Sequence, residues 1–197
     1  INGTNNSNTN FTPTAEMLKT DWSSSIEMER SWKSALVRIP VSLGKSIAST
    51  VDEMEKKLSE KVKIFPTVIF LHGCYGVHPG THHRIKFLAD HGFLTIAPVS
   101  FARLKYPKSC DIYTYQSGLY RGTIKIREFD AKYAITKLKK LNFVDTENII
   151  LMGHSEGGIT TAVLKLNEET QKLKARIIEG WNCTPDAWAR IYRNKRK

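Results

Sequence analysis

The segment ENIILMGHSEGGITTAVLKL (Glu147–Leu166) places Ser155 in a Gly-x-Ser-x-Gly pattern between an apolar run and a helix-like run. A serine on a sharp turn between a strand and a helix has a strained backbone that projects its hydroxyl out of the sheet. Gly153 and Gly157 leave room for such a turn, and the amide of Glu156 opens the following helix, where it can donate to a developing oxyanion. The pattern predicts Ser155 as a nucleophile and the Glu156 amide as one oxyanion donor. An ordinary serine in a tight turn is the alternative.

A second pattern, VIFLHGCYG (Val68–Gly76), ends an apolar run with His-Gly-x-x-Gly. A loop of this kind, directly after a strand, can supply the second oxyanion donor of an acyl-transfer site. We predict the amide of Cys74 as that donor, with the amide of Tyr75 as the alternative. His72 is expected to have a structural role, its ring bonding to the backbone and shaping the loop. Cys74 lacks the strand-turn-helix setting of Ser155, so we do not expect its thiol to be the nucleophile.

A serine hydroxyl needs a general base, and histidine is the commonest one. No histidine follows Ser155 in the sequence. Upstream, His78, His82 and His83 lie after the first buried apolar run, where surface and helix-capping roles are expected. His154 adjoins the serine and is expected to point away along the turn. The residues after Ser155 therefore predict no complete triad.

Four segments resemble, in order and spacing, the dienelactone hydrolase-like branch of the α/β-hydrolases: TVIFLHGCYG, FLTIAPVSFARLKYPKSC, IREFDAKYAITKLKKL and NIILMGHSEGG. The resemblance covers roughly Pro66–Cys183, and its specific parts are the His-Gly loop and the serine elbow. It implies a mostly parallel central sheet and hydrolysis of an ester, lactone or related acyl bond by a nucleophile, a histidine and an acid. Dienelactone hydrolases proper carry a cysteine in the elbow, so Ser155 implies a different substrate.

In this fold the acid and then the histidine follow the nucleophile along the chain. The resemblance places the usual acid one strand beyond ARIIEGW, and the chain stops at Lys197 before that strand. We therefore expect a hydrolase whose last strands are missing from this chain, so that the 197 residues alone are a poor or inactive esterase. Asp186 is a candidate substitute acid, and a helix-capping role before AWARIY is the alternative.

Apolar runs alternate with helix-like segments from Pro66 onward. TVIFLHG, FLTIAPVSF, ENIILMG and KARIIEGW are typical of strands, and continuous apolar runs such as TVIFLHG indicate burial on both faces. Helices are predicted by apolar residues at three-and-four spacing, in one group of Ile85, Leu88 and Ala89, a second of Ile126, Phe129, Tyr133, Ala134, Leu138 and Leu141, and a third of Ile159, Val163 and Leu166. The alternation predicts a three-layer α/β sandwich with its site at the carboxyl ends of the strands.

The predicted domain organisation has three parts. Residues 1–20 form a disordered tail, because INGTNNSNTNFTPT has almost nothing to bury. Residues 21–65 contribute a strand (ALVRIPVSL) and a helix with Val51, Met54 and Leu58 on one face, and residues 66–197 form the core. The segment LGKSIAST opens a helix in the manner of a phosphate loop, but Ile39 stands where Walker A needs glycine, so no nucleotide site is expected.

The net charge of +11 is spread along the chain, and Arg103–Lys140 alone holds ten Lys and Arg against three acids. No nucleic-acid-binding motif accompanies these cations, so we interpret them as a solvated basic surface and expect no nucleic-acid partner. The expected partner is a small-molecule ester-like substrate. A non-catalytic module of the same fold that binds an acidic partner is the alternative function.

The sequence says less about the cellular compartment, the pairing of the cysteines and the binding of metals than about the fold. No apolar stretch is long enough to span a bilayer, and the start at Ile1 leaves cytoplasmic and exported locations open. The three cysteines allow at most one bridge, for which Cys110 and Cys183 are the candidate pair, with Cys74 a free thiol. No cysteine or histidine spacing fits a metal site, so no metal or cofactor is expected.

Overall fold

A computed structural model describes residues 19–60, 62–107, 109–111, 113–120, 122–167 and 171–181. Within these residues the strands are β1 (Leu36–Ser42), β2 (Lys45–Ser49), β3 (Phe65–Leu71), β4 (Leu94–Ala97), β5 (Cys110–Asp111), β6 (Gln116–Ser117), β7 (Val144–His154) and β8 (Ala175–Glu179). The helices are α1 (Lys19–Trp22), α2 (Ser25–Lys33), α3 (Val51–Leu58), α4 (Pro79–Asp90), α5 (Gly122–Leu138) and α6 (Glu156–Val163), with a 3-10 turn at Ser100–Ala102.

The main sheet has the strand order β2-β1-β4-β3-β7-β8, and β5 and β6 pair in a separate small hairpin. Strands β4, β3, β7 and β8 run parallel, while β1 is antiparallel to both β4 and β2. This confirms the predicted mostly parallel α/β arrangement. Because β3 and β7 are parallel neighbours, the loop that follows β3 and the turn that follows β7 lie side by side.

Helices cover both faces of the sheet. On one face, α2, α3 and α5 pack on the strands and bury Trp32, Met54, Ile69, Ile135 and Leu151 among others. On the other face, α4 packs on Phe70 and Ala97 through Ile85. Two layers of helix with a sheet between them make the three-layer sandwich expected from the sequence.

Helix α3 matches its prediction, with Val51, Met54 and Leu58 buried. The buried face of α6 differs from the predicted one, because Gly157, Gly158, Thr160 and Thr161 are buried there while Ile159, Val163 and Leu166 are only partly buried. The reason is distance: the glycines let α6 approach the strands so closely that only small side chains fit between them.

Helix α5 also buries residues that apolar spacing did not indicate. Arg127 and Asp130 lie on its buried face, whereas Phe129 and Tyr133 are only partly buried. Arg103 is buried as well, in an ion pair with Asp130 at 2.7 Å. The interpretation of the Arg103–Lys140 stretch as a solvated basic surface is therefore wrong for these two arginines, because each is desolvated and paired inside the fold.

The segment LGKSIAST does not open a helix, since β1 and β2 pair as a hairpin through it. Gly44 takes a φ of 77° in the turn, and its amide donates to the carbonyl of Asp90 at 2.8 Å. The following helix begins only at Val51. This geometry provides no phosphate loop at this segment.

The predicted tail lies mostly outside the described residues, and its boundary at residue 20 falls inside α1. In the part of the chain that the structure describes, no helix combines the length and apolarity needed to cross a bilayer.

Candidate active site

Ser155 occupies the turn between β7 and α6, as the sequence predicts. Strand β7 ends at His154 and α6 begins at Glu156. Ser155 has φ 54° and ψ −118°, in the left-handed half of the Ramachandran plot that a side chain rarely adopts. Its amide donates to the carbonyl of Glu179 at the end of β8, at 2.8 Å. A strained residue held by neighbouring strands is the setting in which a side chain is presented for chemistry.

Two glycines make this turn possible. A Cβ at Gly153 would overlap the carbonyl of Gly157, and a Cβ at Gly157 would overlap the carbonyl of Leu71 at the end of β3. Both obstacles are backbone atoms, one in α6 and one in β3, so no side-chain movement relieves them. The two glycines therefore fix how closely α6 and Ser155 approach β3.

The loop after β3 lies against Ser155. A Cβ built at Gly73 would be 3.5 Å from the Cβ of Ser155, and the loop closes on itself through the Gly76 amide, which donates to the Gly73 carbonyl at 3.0 Å. Cys74 and Tyr75 form the tip of this turn, and the Tyr75 side chain is 54% exposed. The predicted oxyanion loop is thus next to the predicted nucleophile.

Cys74 is not a free thiol but is bonded to Cys110, with a Cα–Cα separation of 5.8 Å. The prediction that Cys110 pairs with Cys183 is therefore wrong, and Cys183 itself lies outside the described residues. The physical reason is that Cys110, in β5, passes over the loop that follows β3, which brings it beside Cys74. The disulfide attaches the oxyanion loop to the β5–β6 hairpin.

His72 has the structural contacts predicted for it. Its Nε2 accepts the Ser100 amide at 3.3 Å, and its Nδ1 lies 2.8 Å from the Gly73 carbonyl. Since an amide can only donate, Nε2 carries no proton and Nδ1 is the donor to Gly73. Burial, and next the charge of Arg127, lower the pKa of His72 well below its usual value, so that the ring is neutral at neutral pH.

The other histidines of the predicted set lie at the start of α4 and beside Ser155. His78 caps α4, its Nδ1 accepting the Gly80 amide at 3.1 Å, and His82 and His83 are exposed. The ring of His154 lies between Gly73 and Gly180 and is half-buried. Burial, followed by the charge of Arg84, lowers the pKa of His154.

Arg127 is a site residue that the sequence prediction missed. Its guanidinium, on α5, donates to the carbonyls of both His72 and Gly73, the latter at 2.8 Å, and its Nε donates to the Tyr106 hydroxyl at 2.7 Å. Nε also lies 2.9 Å from the Glu156 carboxylate, in an ion pair whose side chains are only 1% and 8% exposed. One buried cation therefore contacts both the loop after β3 and the residue that follows Ser155.

The carboxylate of Glu156 is held away from water. Its Oε2 accepts the Ser109 hydroxyl, while Oε1 faces Arg127 without a hydrogen bond, because the Nε–H points to Tyr106 instead. Burial raises the pKa of Glu156, and the positive charge of Arg127 opposes that rise. A buried carboxylate at this position needs Arg127 as its partner.

A signal for this network was present in the sequence. Arg127 and Asp130 fall among the apolar positions of α5, and a charged residue at a core position requires a buried partner. The pattern could not identify the partners, because Glu156, Tyr106 and the His72 carbonyl are distant in sequence. Only the fold brings them together.

The remaining predicted site residue, Asp186, lies outside the described residues. Among the residues that the structure does describe, no three His, Cys, Asp or Glu side chains form a group that could hold a metal ion. Two surface clefts, of about 530 and 210 Å³, are lined by residues of α2 and α5 and by Lys165 rather than by Ser155.

Comparison with known proteins gives one family match. The family described as chlorophyllase matches residues 55–181, which include the loop after β3, α5 and the Ser155 turn. Among curated proteins, none matches the chain significantly.

Two solved structures with some similarity are described as hydrolases. One is a candidate dienelactone hydrolase from Klebsiella pneumoniae subsp. pneumoniae MGH 78578, with 18% identity over 64% of this chain and 52% of that one, at a TM-score of 0.37. A butyrate-bound thermophilic esterase from Thermogutta terrifontis has 16% identity over 68% and 52%, at a TM-score of 0.36. The chain thus spans about half the length of these two structures.

Proposed function

Since the chain belongs to the chlorophyllase family, we propose that it carries the nucleophile and oxyanion site of a serine-dependent acyl hydrolase that acts on a small-molecule ester, lactone or related acyl bond. Family membership supports the hydrolase class and the α/β-hydrolase, dienelactone hydrolase-like character expected from the sequence. We propose both the identity of the nucleophile and the activity of the whole protein.

The observation that carries the proposal is the backbone of Ser155. A φ of 54° at a non-glycine residue costs on the order of 1–3 kcal/mol, and such strain persists at sites that use it. Gly153 and Gly157, where an added Cβ would overlap a backbone carbonyl, maintain the same turn. An ordinary serine in a loop needs neither feature.

The chemistry assigned to the site is acyl transfer through Ser155. Attack of Oγ on the acyl carbon forms a C–O bond and moves the carbonyl electron pair onto oxygen, where the Cys74 and Glu156 amides stabilise it. The Tyr75 amide is the alternative to that of Cys74. Collapse breaks the bond to the alcohol, which leaves with the proton that a general base removed from Oγ, and water then releases the acid and restores the hydroxyl.

Glu156 suits the role of amide donor because it is the first residue of α6. The first amides of a helix have no carbonyl one turn earlier to accept them, and the helix dipole favours negative charge there. Asp186 remains the candidate acid of the triad, with helix capping as its alternative role.

A non-catalytic module that binds an acidic partner is the second candidate. The observation in its favour is a cleft of about 210 Å³ on α5 lined by Lys125, Glu128, Phe129, Lys132 and Lys165. Such a module would bind polyglutamate in a salt-dependent manner and would not need Ser155.

The direct test is turnover of p-nitrophenyl acetate by the polypeptide made from the complete open reading frame. Ser155→Ala should lower kcat/KM at least about 1000-fold, because the nucleophile is lost. Ser42→Ala, at an exposed position of β1, is the matched control and should retain wild-type turnover. Absence of turnover in a folded wild-type protein that binds polyglutamate would favour the module instead.

A further inference from the structure

Two halves of the proposed oxyanion site come from different parts of the chain. The Cys74 amide belongs to the loop after β3, and the Glu156 amide belongs to the first turn of α6. The strands before them are hydrogen-bonded neighbours, but β3 pairs with β7 only as far as the pair Leu71 and Gly153. Beyond that pair, the close contact of Gly157 with the Leu71 carbonyl sets how near α6 comes to β3, and other contacts must hold the loop that carries Cys74.

Arg127 reaches both halves from α5. Through its Nη atoms it donates to the carbonyls of His72 and Gly73, which are the two residues before Cys74. Through its charge it pairs with the Glu156 carboxylate at 2.9 Å. The two carbonyls and the carboxylate therefore lie around one planar guanidinium of fixed geometry, which connects the two halves.

We propose that Arg127 is a positioning residue that holds the two oxyanion donors at their working separation. This inference rests on the proposed function, because it assigns a role only if the Cys74 and Glu156 amides stabilise an oxyanion. Arg127 touches neither substrate nor Ser155 in this role and acts through the backbone carbonyls of His72 and Gly73 and the carboxylate of Glu156.

The surroundings of Arg127 support a rigid connection. Tyr106 accepts the Nε–H at 2.7 Å, which fixes the plane of the guanidinium. Ser109 donates to the far oxygen of Glu156, and the next residue, Cys110, is bonded to Cys74. Tyr106, Ser109 and Cys110 therefore contact Arg127 and both halves of the site.

The expected effect is on the transition state rather than on substrate binding. A catalytic group displaced by about 1 Å loses about 100-fold in rate. Arg127→Lys keeps the positive charge but, with one ammonium in place of a fork, cannot hold His72, Gly73 and Glu156 together. We expect kcat to fall about 10- to 100-fold, within the range that displacement predicts, with KM changed less than about 3-fold.

Arg103→Lys is the matched control. Arg103 is equally buried and has a comparable set of bonds, to Asp130 and to the carbonyls of Asp21 and Trp22, but it does not contact the oxyanion loop or Glu156. It should lower the melting temperature about as much as Arg127→Lys does, while kcat stays near that of the wild type. Any loss of rate through loss of stability alone would appear in both variants.

The readout specific to positioning is affinity for an arylboronic acid, which forms a tetrahedral anion on a serine and occupies the oxyanion site. Its inhibition constant for Arg127→Lys should rise by about the same factor as kcat falls, and for Arg103→Lys it should not change. Glu156→Gln keeps the Arg127 bonds to the loop and weakens only the connection to α6. Glu156→Gln should lower kcat and raise the boronate inhibition constant, each by about 3- to 10-fold. It replaces Arg127→Lys as the test variant if Arg127→Lys does not fold.

An Arg127→Lys or Glu156→Gln protein with wild-type kcat and wild-type boronate affinity would overturn the positioning role. So would losses that match those of Arg103→Lys. A folded wild-type protein that neither turns over ester nor binds boronate would instead overturn the proposed function, so the two failures are distinguishable.

Discussion

At the scale of single residues, His72 is held neutral by burial and by the nearby charge of Arg127, which lower its pKa well below the usual 6.5. The folded protein therefore binds fewer protons at this ring than the unfolded chain does below pH 6.5. Stability from His72 is fully present above pH 6.5 and is lost as the pH falls from there toward the folded pKa, by up to about 1.4 kcal/mol per pH unit.

His72→Gln should flatten this dependence. Thermal or urea unfolding between pH 7.5 and 5 would measure it, with the slope of the unfolding free energy against pH as the quantity compared. The variant is expected to be less stable at pH 7.5, because it alters the bonds to Ser100 and Gly73, but to lose less on acidification. Equal slopes in the two proteins would show that His72 is not the neutral buried group described.

Sequence alone predicted the residues whose role depends on local pattern. The position of Ser155 in the turn follows from the glycines two residues away on either side. The bonding of the His72 ring to the backbone follows from the place of His72 before Gly73. Arg127 and the pairing of Cys74 with Cys110 could not be predicted in this way, because their partners are brought near only by the crossing of chain segments far apart in sequence.

At the scale of elements, the approach of α6 to β3 depends on Gly157. Gly157→Ala would place a methyl group on the backbone carbonyl of Leu71, so α6 would have to move away from the sheet. Gly158→Ala is a milder control, since its methyl would lie 3.1 Å from the Glu179 carbonyl and needs a shift of only a few tenths of an ångström.

We expect Gly157→Ala to destabilise the fold by more than about 3 kcal/mol and to abolish ester turnover. Gly158→Ala should remain folded with measurable turnover. Urea denaturation and p-nitrophenyl acetate assays of both variants would check this. A Gly157→Ala protein with wild-type stability would contradict the close contact between α6 and β3.

The disulfide connects the loop after β3 to the β5–β6 hairpin across a sequence separation of 36 residues. Cross-links of this span stabilise a fold by about 2–4 kcal/mol. Cys110→Ser should lose that amount and should also lower kcat, because the Cys74 loop is released at its tip.

Peptide mapping without reduction would detect Cys74 and Cys110 in one linked peptide pair. Urea denaturation with and without a phosphine reductant would measure the contribution of the disulfide to the free energy of unfolding. Cys183→Ser is the control and should leave both results unchanged. A linked pair that contains Cys183 would contradict the pairing.

Elements were predicted best where apolar runs were long. Strands β3, β4, β7 and β8 and helices α3 to α6 all occur at their predicted places. Strand β1 was predicted from ALVRIPVSL, but strand β2 was missed because LGKSIAST is polar and short. Strand β2 is specified by its pairing with β1 and by the contacts of Gly44 and Ser46 with Asp90 rather than by its own pattern.

At the scale of the whole molecule, β8 lies at one edge of the described sheet with apolar side chains partly uncovered. Ile177 is 41% exposed and is paired with Met152 on the face that α4 covers farther along the sheet. An open edge with exposed apolar residues is a template for pairing with another chain.

We therefore expect the polypeptide of residues 1–197 to associate as its concentration rises, and Ile177→Lys to reduce that association. Sedimentation velocity at several concentrations would measure it. The matched control is Ile47→Lys, a similarly exposed position on the opposite edge strand β2, which should have a smaller effect if β8 rather than β2 is the edge that pairs. A concentration-independent monomer would show that the β8 edge is not a pairing surface.

The central claim, that Ser155 is an activated nucleophile, is tested most directly by covalent labelling. The polypeptide from the complete open reading frame, treated with a fluorophosphonate and analysed by intact-mass and peptide mass spectrometry, should carry one adduct, on Ser155. Ser155→Ala should carry none, and Ser42→Ala should be labelled like the wild type. A folded protein that takes up no label, or an adduct that persists in Ser155→Ala, would contradict the account.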